Sequence, residues 1–201
     1  EALGGKYRTA RETGEPAARE FLNGSRTGYA AHWDDYLAAR PGETVVTKIA
    51  PDTLQRLGEA SLRLPDGFKV HRGVARVLDA RRDMLAGDRP IDWGMAEILA
   101  YASLLDEGSA IRLSGQDTGR GTFAHRHAVL HHQEARLSHV PLEHLFEGQP
   151  RFEVINSLLS ELAALAFEYG YATSSPDTLV IWEAQFGDFA NCAQVVIDQF
   201  I

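Results

Sequence analysis

From Glu153 to Ile201 the pattern of apolar and polar residues alternates between strand-like and helix-like runs. Val154 and Ile155 are β-branched and lead into a helix starting near Ser160. In that helix Leu162, Leu165, Ala166 and Tyr169 recur at helical spacing, and Gly170 is the expected stop. Thr178 to Trp182 is a short β-branched and apolar run of the kind that forms a strand buried on both faces. Gly187 and Asp188 then turn the chain, and Phe189, Ala193, Val196, Ile197 and Phe200 restore a helical stripe. Two strands separated by a helix predict a parallel βαβ crossover, with polar residues gathered at the strand ends where such sheets bind ligands.

Upstream, residues 1–50 are rich in Gly and Pro and show little periodicity, so they read as irregular connecting chain with a short helix at Ala17–Leu22. Trp33, Tyr36 and Leu37 are expected to anchor this stretch to a neighbouring surface. Asp52 or Thr53 can cap a helix running to about Leu62, and Leu64-Pro65-Asp66-Gly67 is a turn. A second helix from about Val70 to Ala86 places Val70, Val74, Val77, Leu78 and Leu85 on one stripe. Arg72, Arg76, Arg81 and Arg82 are expected on a solvated face. Asp92 caps a third helix, with Ile91, Met95, Ile98, Ala102 and Leu105 on one face and an end near Glu107-Gly108; Ala110 to Leu113 is the first strand. The order from Asp92 onward is α, β, long loop, β, α, β, α, which predicts an α/β sheet domain.

Length and charge narrow the classes of function. A chain of 201 residues is enough for one sizeable domain with an appendage. Twenty Lys+Arg against 28 Asp+Glu leave a net charge of −8 without a basic cluster, which argues against nucleic acid or an anionic membrane as main partner. No run approaches the roughly 20 apolar residues of a membrane span. Cys192 is the single cysteine, so no internal disulfide forms, and a cytoplasmic setting, or the mitochondrial matrix in a eukaryote, is expected. The sequence opens at Glu1 and stops at Ile201 within an amphipathic run, so a fragment of a longer protein is expected.

Several groups carry candidate chemistry. Ser114 to Thr122 holds three glycines among polar residues at a strand's carboxyl end, where backbone approaches a ligand, but it matches neither GxxxxGK[ST] nor GxGxxG. Six of the eight histidines fall at positions 125, 127, 131, 132, 139 and 144. An H-x-H pair on a strand can turn both rings to one face for zinc, which makes a histidine-rich metal-dependent hydrolase or binding module the rival class of function. The segment lacks HExxH, a cysteine and a third ligand at short spacing, so hydrogen-bonded or surface histidines are expected. His125 and His127 can alternatively donate to an anionic substrate. Glu161, in the first turn of its helix, either complements the helix dipole or is a buried carboxylate that binds a protonated ring nitrogen. Phe186 and Phe189 are either core or ring faces for a flat ligand. Cys192 reads as a small core residue.

Four segments together carry a resemblance. SGQDTGRGTFAHRHAVLH (114–131), SLLSELAALAFEYGYA (157–172), TLVIWEAQFGDFANCAQVVIDQFI (178–201) and DWGMAEILAYASLLDEG (92–108) closely resemble the E1 component of 2-oxoglutarate dehydrogenase, a thiamine-diphosphate enzyme. The resemblance implies an irregular linker at 1–50, a helical connector at 51–90 and, over 91–201, the start of a transketolase-like, parallel-sheet pyrimidine-binding domain. It implies that Glu161 binds N1′ of the aminopyrimidine and that Phe189 packs on that ring, with Gln116, His125 and His127 nearby. The implied reaction decarboxylates 2-oxoglutarate and passes the succinyl-level fragment to the lipoyl group of the E2 dihydrolipoyl succinyltransferase. A 2-oxoadipate-acting relative and a non-oxidative 2-oxoacid decarboxylase are the near alternatives.

The family's diphosphate and Mg2+ motif, Gly-Asp-Gly to Asn, has no match here, since Gly187-Asp188 is followed by Phe189. The resemblance therefore implies metal ligands outside this chain, a site formed between the two subunits of a homodimer, and a fragment inactive alone. Two positions depart from the family pattern. Leu162 stands where a second acid is usual, which is tolerable if it faces the core, and Cys192 stands for a glycine, costing about 1–3 kcal/mol where packing is tight.

Overall fold

The computed structural model describes residues 2–14, 31, 33, 36, 42 and 46–201. The chain divides into two units, 1–38 and 39–201. In the first, helix α1 (Ala2–Thr13) forms where irregular chain was expected. Lys6, Tyr7, Arg8, Ala10, Arg11 and Glu12 carry enough helix propensity to outweigh Gly4 and Gly5, at about 1 kcal/mol each. Gly14, at φ +72°, follows its last residue. Trp33 meets Tyr36 edge-on with ring centroids 6.0 Å apart. The helix expected at Ala17–Leu22 and the anchor residue Leu37 lie outside the described residues.

The second unit opens with α2 (Pro51–Ser61). Neither Asp52 nor Thr53 caps it. Pro51 takes the first helical position, where its missing N–H removes nothing the helix needs, and Ala50 sits at the cap without a side-chain bond. Helix α3 (Arg72–Ala86) is capped by His71, whose Nδ1 accepts from the Gly73 amide, and closes on Gly87 in the left-handed region. In α4 (Trp93–Asp106) the Asp92 carboxylate accepts from the Met95 amide, as its position predicted. Ile91, just before that cap, is half exposed instead of sharing the buried face.

Strand β1 (Ala110–Gly115) lies between β4 (Phe152–Asn156) and β5 (Thr178–Glu183) and pairs in parallel with both. The strands flanking α5 (Glu161–Ser174) are therefore not neighbours, and the crossover steps over β1. Between β1 and β4 runs a short antiparallel pair, β2 (Leu130–His131) and β3 (Ser138–His139), followed by a 3-10 turn at Pro141–Glu143. A second 3-10 turn, Asp188–Ala190, precedes α6 (Ala193–Phe200). Helix α5 runs past Gly170 to Ser174, and the hydroxyls of Thr173 and Ser174 bond back to the Gly170 carbonyl. Strand β5 is half-buried, not buried on both faces, because among the described residues it has a partner on one side only.

Period-two alternation in β1 sorts its two faces. Ile111 and Leu113 pack with Leu57 and Ala60 of α2, Ile98, Tyr101, Ala102 and Leu105 of α4, and Phe152. Each fully buried Leu, Ile or Phe there contributes roughly 1.5–3 kcal/mol. Arg112 points to the opposite face. It binds Glu168 of α5 at 2.7 and 3.0 Å and Glu153 of β4 at 3.1 Å, and its guanidinium lies 5.3 Å from the Phe167 ring centroid and 4.7 Å from that of Tyr171. Donating hydrogen bonds to Glu168 is the chief cause that holds the Arg112 guanidinium above its ordinary pKa. Helices thus cover both faces of the sheet.

The arginines of α3 are not all solvated. Arg81 is 4% exposed and donates to the backbone carbonyls of His125 and Arg126 at 2.8 and 2.7 Å. Its spacing from Val74, Leu78 and Leu85 puts it on the buried stripe itself. Burial pulls its pKa down, opposed by the charges of Asp92 and Glu97. Replacing it strands two carbonyls. Arg81→Met is expected to lower unfolding stability by about 1–3 kcal/mol, seen as a lower urea midpoint at unchanged slope, with Arg81→Lys restoring part of the loss.

Candidate functional site

Because the three strands are parallel, the loops that follow them share one edge of the sheet, and these loops are bonded to one another. The Ser157 amide donates to the Gly115 carbonyl at 2.8 Å, and the Gly119 amide donates to Asn156 Oδ1 at 3.1 Å. Gln185 Nε2 reaches the Gln116 carbonyl at 3.1 Å and Thr122 Oγ1 at 3.0 Å, while Asp188 Oδ2 accepts from the Gln185 amide at 2.8 Å. Gly115 permits this closure: a Cβ there would lie 2.6 Å from the Glu183 carbonyl oxygen.

The candidate residues occupy these loops. Gln116 follows β1, Glu161 opens α5 after β4, and Phe189 sits in the 3-10 turn after β5. Ser160 caps α5 by accepting from the Ala163 amide at 3.3 Å. Glu161 is half-buried, not the fully buried carboxylate considered as one of its two readings. Phe186 is fully exposed and Phe189 is 52% exposed, so neither is core. Phe123, Leu158, Leu159 and Leu162 are also exposed, and with the two phenylalanines they give the three loops an apolar rim. Leu162 does not face the core, and Cys192 is exposed, so neither the core reading of Cys192 nor the packing cost of its side chain arises.

His125 and His127 lie in the loop after β1 but not on a strand. Ala124 at φ 51° and His127 at φ 47° bend the chain, which removes the one-face H-x-H geometry. Among the described residues no three His, Cys, Asp or Glu side chains come together to hold a metal ion. Burial pulls His127 below its ordinary pKa, with the charges of Arg81 and Arg120 acting the same way and a bond to the Ala124 backbone opposing them.

Beneath this loop lies a charge cluster that reading the sequence did not single out. Arg126, 2% exposed, binds Glu97 of α4 at 2.6 and 3.0 Å, Glu183 at the end of β5, and the carbonyl and hydroxyl of Thr118 at 2.8 and 3.0 Å. Burial by itself lowers the Arg126 pKa, but bonds to the two carboxylates outweigh it and hold the guanidinium above its ordinary value. Tyr101 is pushed up to about 12 by burial and by Glu97. A signal was present: Glu97 is the single acid in α4 before Asp106. Three buried polar atoms on this edge, Ser114 Oγ, His125 Nδ1 and Glu183 Oε1, have no protein partner.

Residues 89–201, more than half of the chain, match the family model described as "Transketolase, pyrimidine binding domain". The chain belongs to that family. Among its relatives in the wider comparison, a protein of Azotobacter vinelandii named 2-oxoglutarate dehydrogenase E1 component is 51% identical over 196 residues, 98% of this chain and 21% of its own length. One of the same name from Cupriavidus necator is 47% identical over 199 residues, 97% and 21% of the two chains. The 2-oxoglutarate dehydrogenase, mitochondrial, of Schizosaccharomyces pombe is 48% identical over 183 residues, 91% and 18%. The chain thus spans about a fifth of the length of the curated relatives it matches. The three-stranded parallel sheet with helices on both faces accords with a transketolase pyrimidine-binding domain.

Two measurements test this geometry. Arg126→Met leaves Glu97 and Glu183 facing each other without a cation and is expected to cost about 3–5 kcal/mol of stability in chemical denaturation. For His127, NMR titration is expected to give a pKa below the ordinary 6.5. Its contribution to stability is then present above the unfolded value and lost as pH falls through the folded one.

Proposed function

We propose that this chain is the part of a 2-oxoglutarate dehydrogenase E1 component that holds the pyrimidine end of thiamine diphosphate. The observation that carries the reading is identity of 47–51% over nearly the whole chain to relatives bearing that name. The 2-oxoadipate-acting relative, the non-oxidative decarboxylase and the metal hydrolase draw no comparable support. The same reading divides the chain into a linker at 1–50, a connector at 51–90 and the pyrimidine-binding domain from 91 onward.

The residues present fit such a cofactor. A half-buried carboxylate at a helix start, an open aromatic face and unpartnered polar atoms share one sheet edge. Thiamine diphosphate, when bound, supplies an acidic carbon centre and an electron sink that no side chain offers. Glu161 binds N1′ of the pyrimidine ring and sets its tautomer by holding a proton there. Phe189 stacks on the flat ring, and Gln116, whose backbone is pinned by Gln185, borders it. His125 and His127 face the anionic oxygens of the 2-oxo acid, His127 as a donor only in its protonated form, since the N–H of its neutral ring is given to the Ala124 backbone. The apolar rim excludes water from the atoms that exchange protons.

The proposal extends to Mg2+ bound with the diphosphate by residues outside this chain, a homodimer, the E2 dihydrolipoyl succinyltransferase as acceptor, and a cytoplasmic or mitochondrial-matrix setting. No described helix is long and apolar enough to cross a membrane.

The full-length protein, supplied with thiamine diphosphate and Mg2+, is expected to release carbon dioxide from 2-oxoglutarate faster than from 2-oxoadipate. Glu161→Gln, which removes the charge at constant size, is expected to lower that rate by roughly 100-fold or more with an unchanged melting curve. Absent turnover in the wild type, or zinc bound stoichiometrically and lost to a chelator, overturns the reading; undiminished turnover in Glu161→Gln removes that residue from the mechanism.

A further inference from the structure

A second cleft lies between the start of α3, the loop after β1 and the end of β4, with a volume of about 440 Å³. That is within the range of small-molecule sites, roughly 300–1,000 Å³. Its walls have two characters. Val70, Val74, Val129 and Val154 give an apolar side, and none of them is fully buried. Arg120, His71, His127 and His131 give a polar side, with Asp117 the single acid.

The donors are held by their neighbours in the chain. His71 Nδ1 accepts from the Gly73 amide at 3.1 Å, so the neutral ring carries its proton on Nε2 and is a donor there. Arg120 meets Asp117 through one guanidinium nitrogen at 2.6 Å, which leaves the remaining N–H groups of its fork available. The amides of Arg126 and His127 both bond to the Arg120 carbonyl, at 3.1 and 3.0 Å, and fix the backbone that carries the guanidinium. Asp117 at φ 54° and His127 at φ 47° are both in the left-handed region, a conformation that costs free energy and recurs at ligand sites.

We propose that this cleft binds a small organic acid, with its carboxylate on Arg120 and His71 and its alkyl body along the four valines. Charge-assisted bonds from a guanidinium suit a carboxylate, and the apolar wall distinguishes an organic acid from a bare phosphate. His127 is shared with the decarboxylase reading only as part of the cleft wall, and direct binding tests the proposal without any turnover, so failure here leaves the decarboxylase reading to its own assay.

The experiment titrates the full-length protein with acetate, butyrate, hexanoate and inorganic phosphate at fixed ionic strength, following histidine ring signals by NMR. Saturable shifts of the His71 and His127 rings are expected, with hexanoate about tenfold tighter than butyrate for its two added methylenes and phosphate weaker than either. Arg120→Gln changes an exposed side chain and keeps the backbone bonds, and it should weaken hexanoate roughly tenfold or more. His71→Asn retains a good helix cap and should weaken it severalfold, while Asp117→Asn should tighten it by removing the competing charge. Unshifted rings, phosphate binding as tight as hexanoate, or Arg120→Gln binding like the wild type overturns the proposal; circular dichroism matching the wild type ties each variant's effect to the cleft.

Discussion

A guanidinium taken almost wholly out of water is tolerated only when charge and hydrogen bonds replace its hydration, and Arg126 meets that condition through three separate parts of the chain. Glu97 comes from α4, Thr118 from the loop after β1 and Glu183 from the last position of β5. Losing any one partner would leave a buried charge or donor uncompensated. Their mutual placement is therefore coupled, and the loop carrying Gln116, His125 and His127 is held where α4 and β5 meet. Arg81 adds to this from α3 by taking up the carbonyls of His125 and Arg126, and Gly94 lets α4 come close, since a Cβ there would lie 2.5 Å from the His125 carbonyl oxygen.

On the other face of the sheet Arg112 does comparable work. It leaves the middle of β1 between the rings of Phe167 and Tyr171 and grips Glu168, two turns along α5 from Glu161. The helix that presents Glu161 is thus fixed to the central strand by an ion pair as well as by the contact of Leu165 with Ala193 and Val196. Arg126 and Arg112 both act through β1 or the loop leaving it. The sheet edge is consequently stiff underneath and open above, where apolar side chains are exposed over three buried, unpartnered polar atoms. Stiffness below and openness above suit a surface that receives a ligand without rearranging.

Local signals carried far in this chain. The Asp92 cap, the helix start near Ser160, the strands around Ile111, Val154 and Ile181, and the turn at Gly187 all follow from residue chemistry within a few positions, and each appears in the fold. Local competition decides the exceptions. Gly170 signals a stop, but Tyr171 and Ala172 continue the helix. Two glycines mask the good helix formers of residues 2–13. Arg81 has the charge of a solvated residue, yet its spacing puts it with Val74, Leu78 and Leu85.

The sequence by itself determined the kinds of element, their order from Asp92 onward, the motifs of the pyrimidine-binding family, and Glu161, Phe189 and Gln116 as candidates after three different strands. Periodicity, capping and motif spacing are properties of neighbouring residues, so they can be read in one dimension. Tertiary structure alone decided that β1 lies between β4 and β5, that Phe186 and Phe189 stay open, and that Arg126 finds Glu97 and Glu183, which are 29 and 57 positions away. Strand order and the burial of a charge depend on which distant segments meet. That meeting is settled by the packing of the whole sheet against its helices.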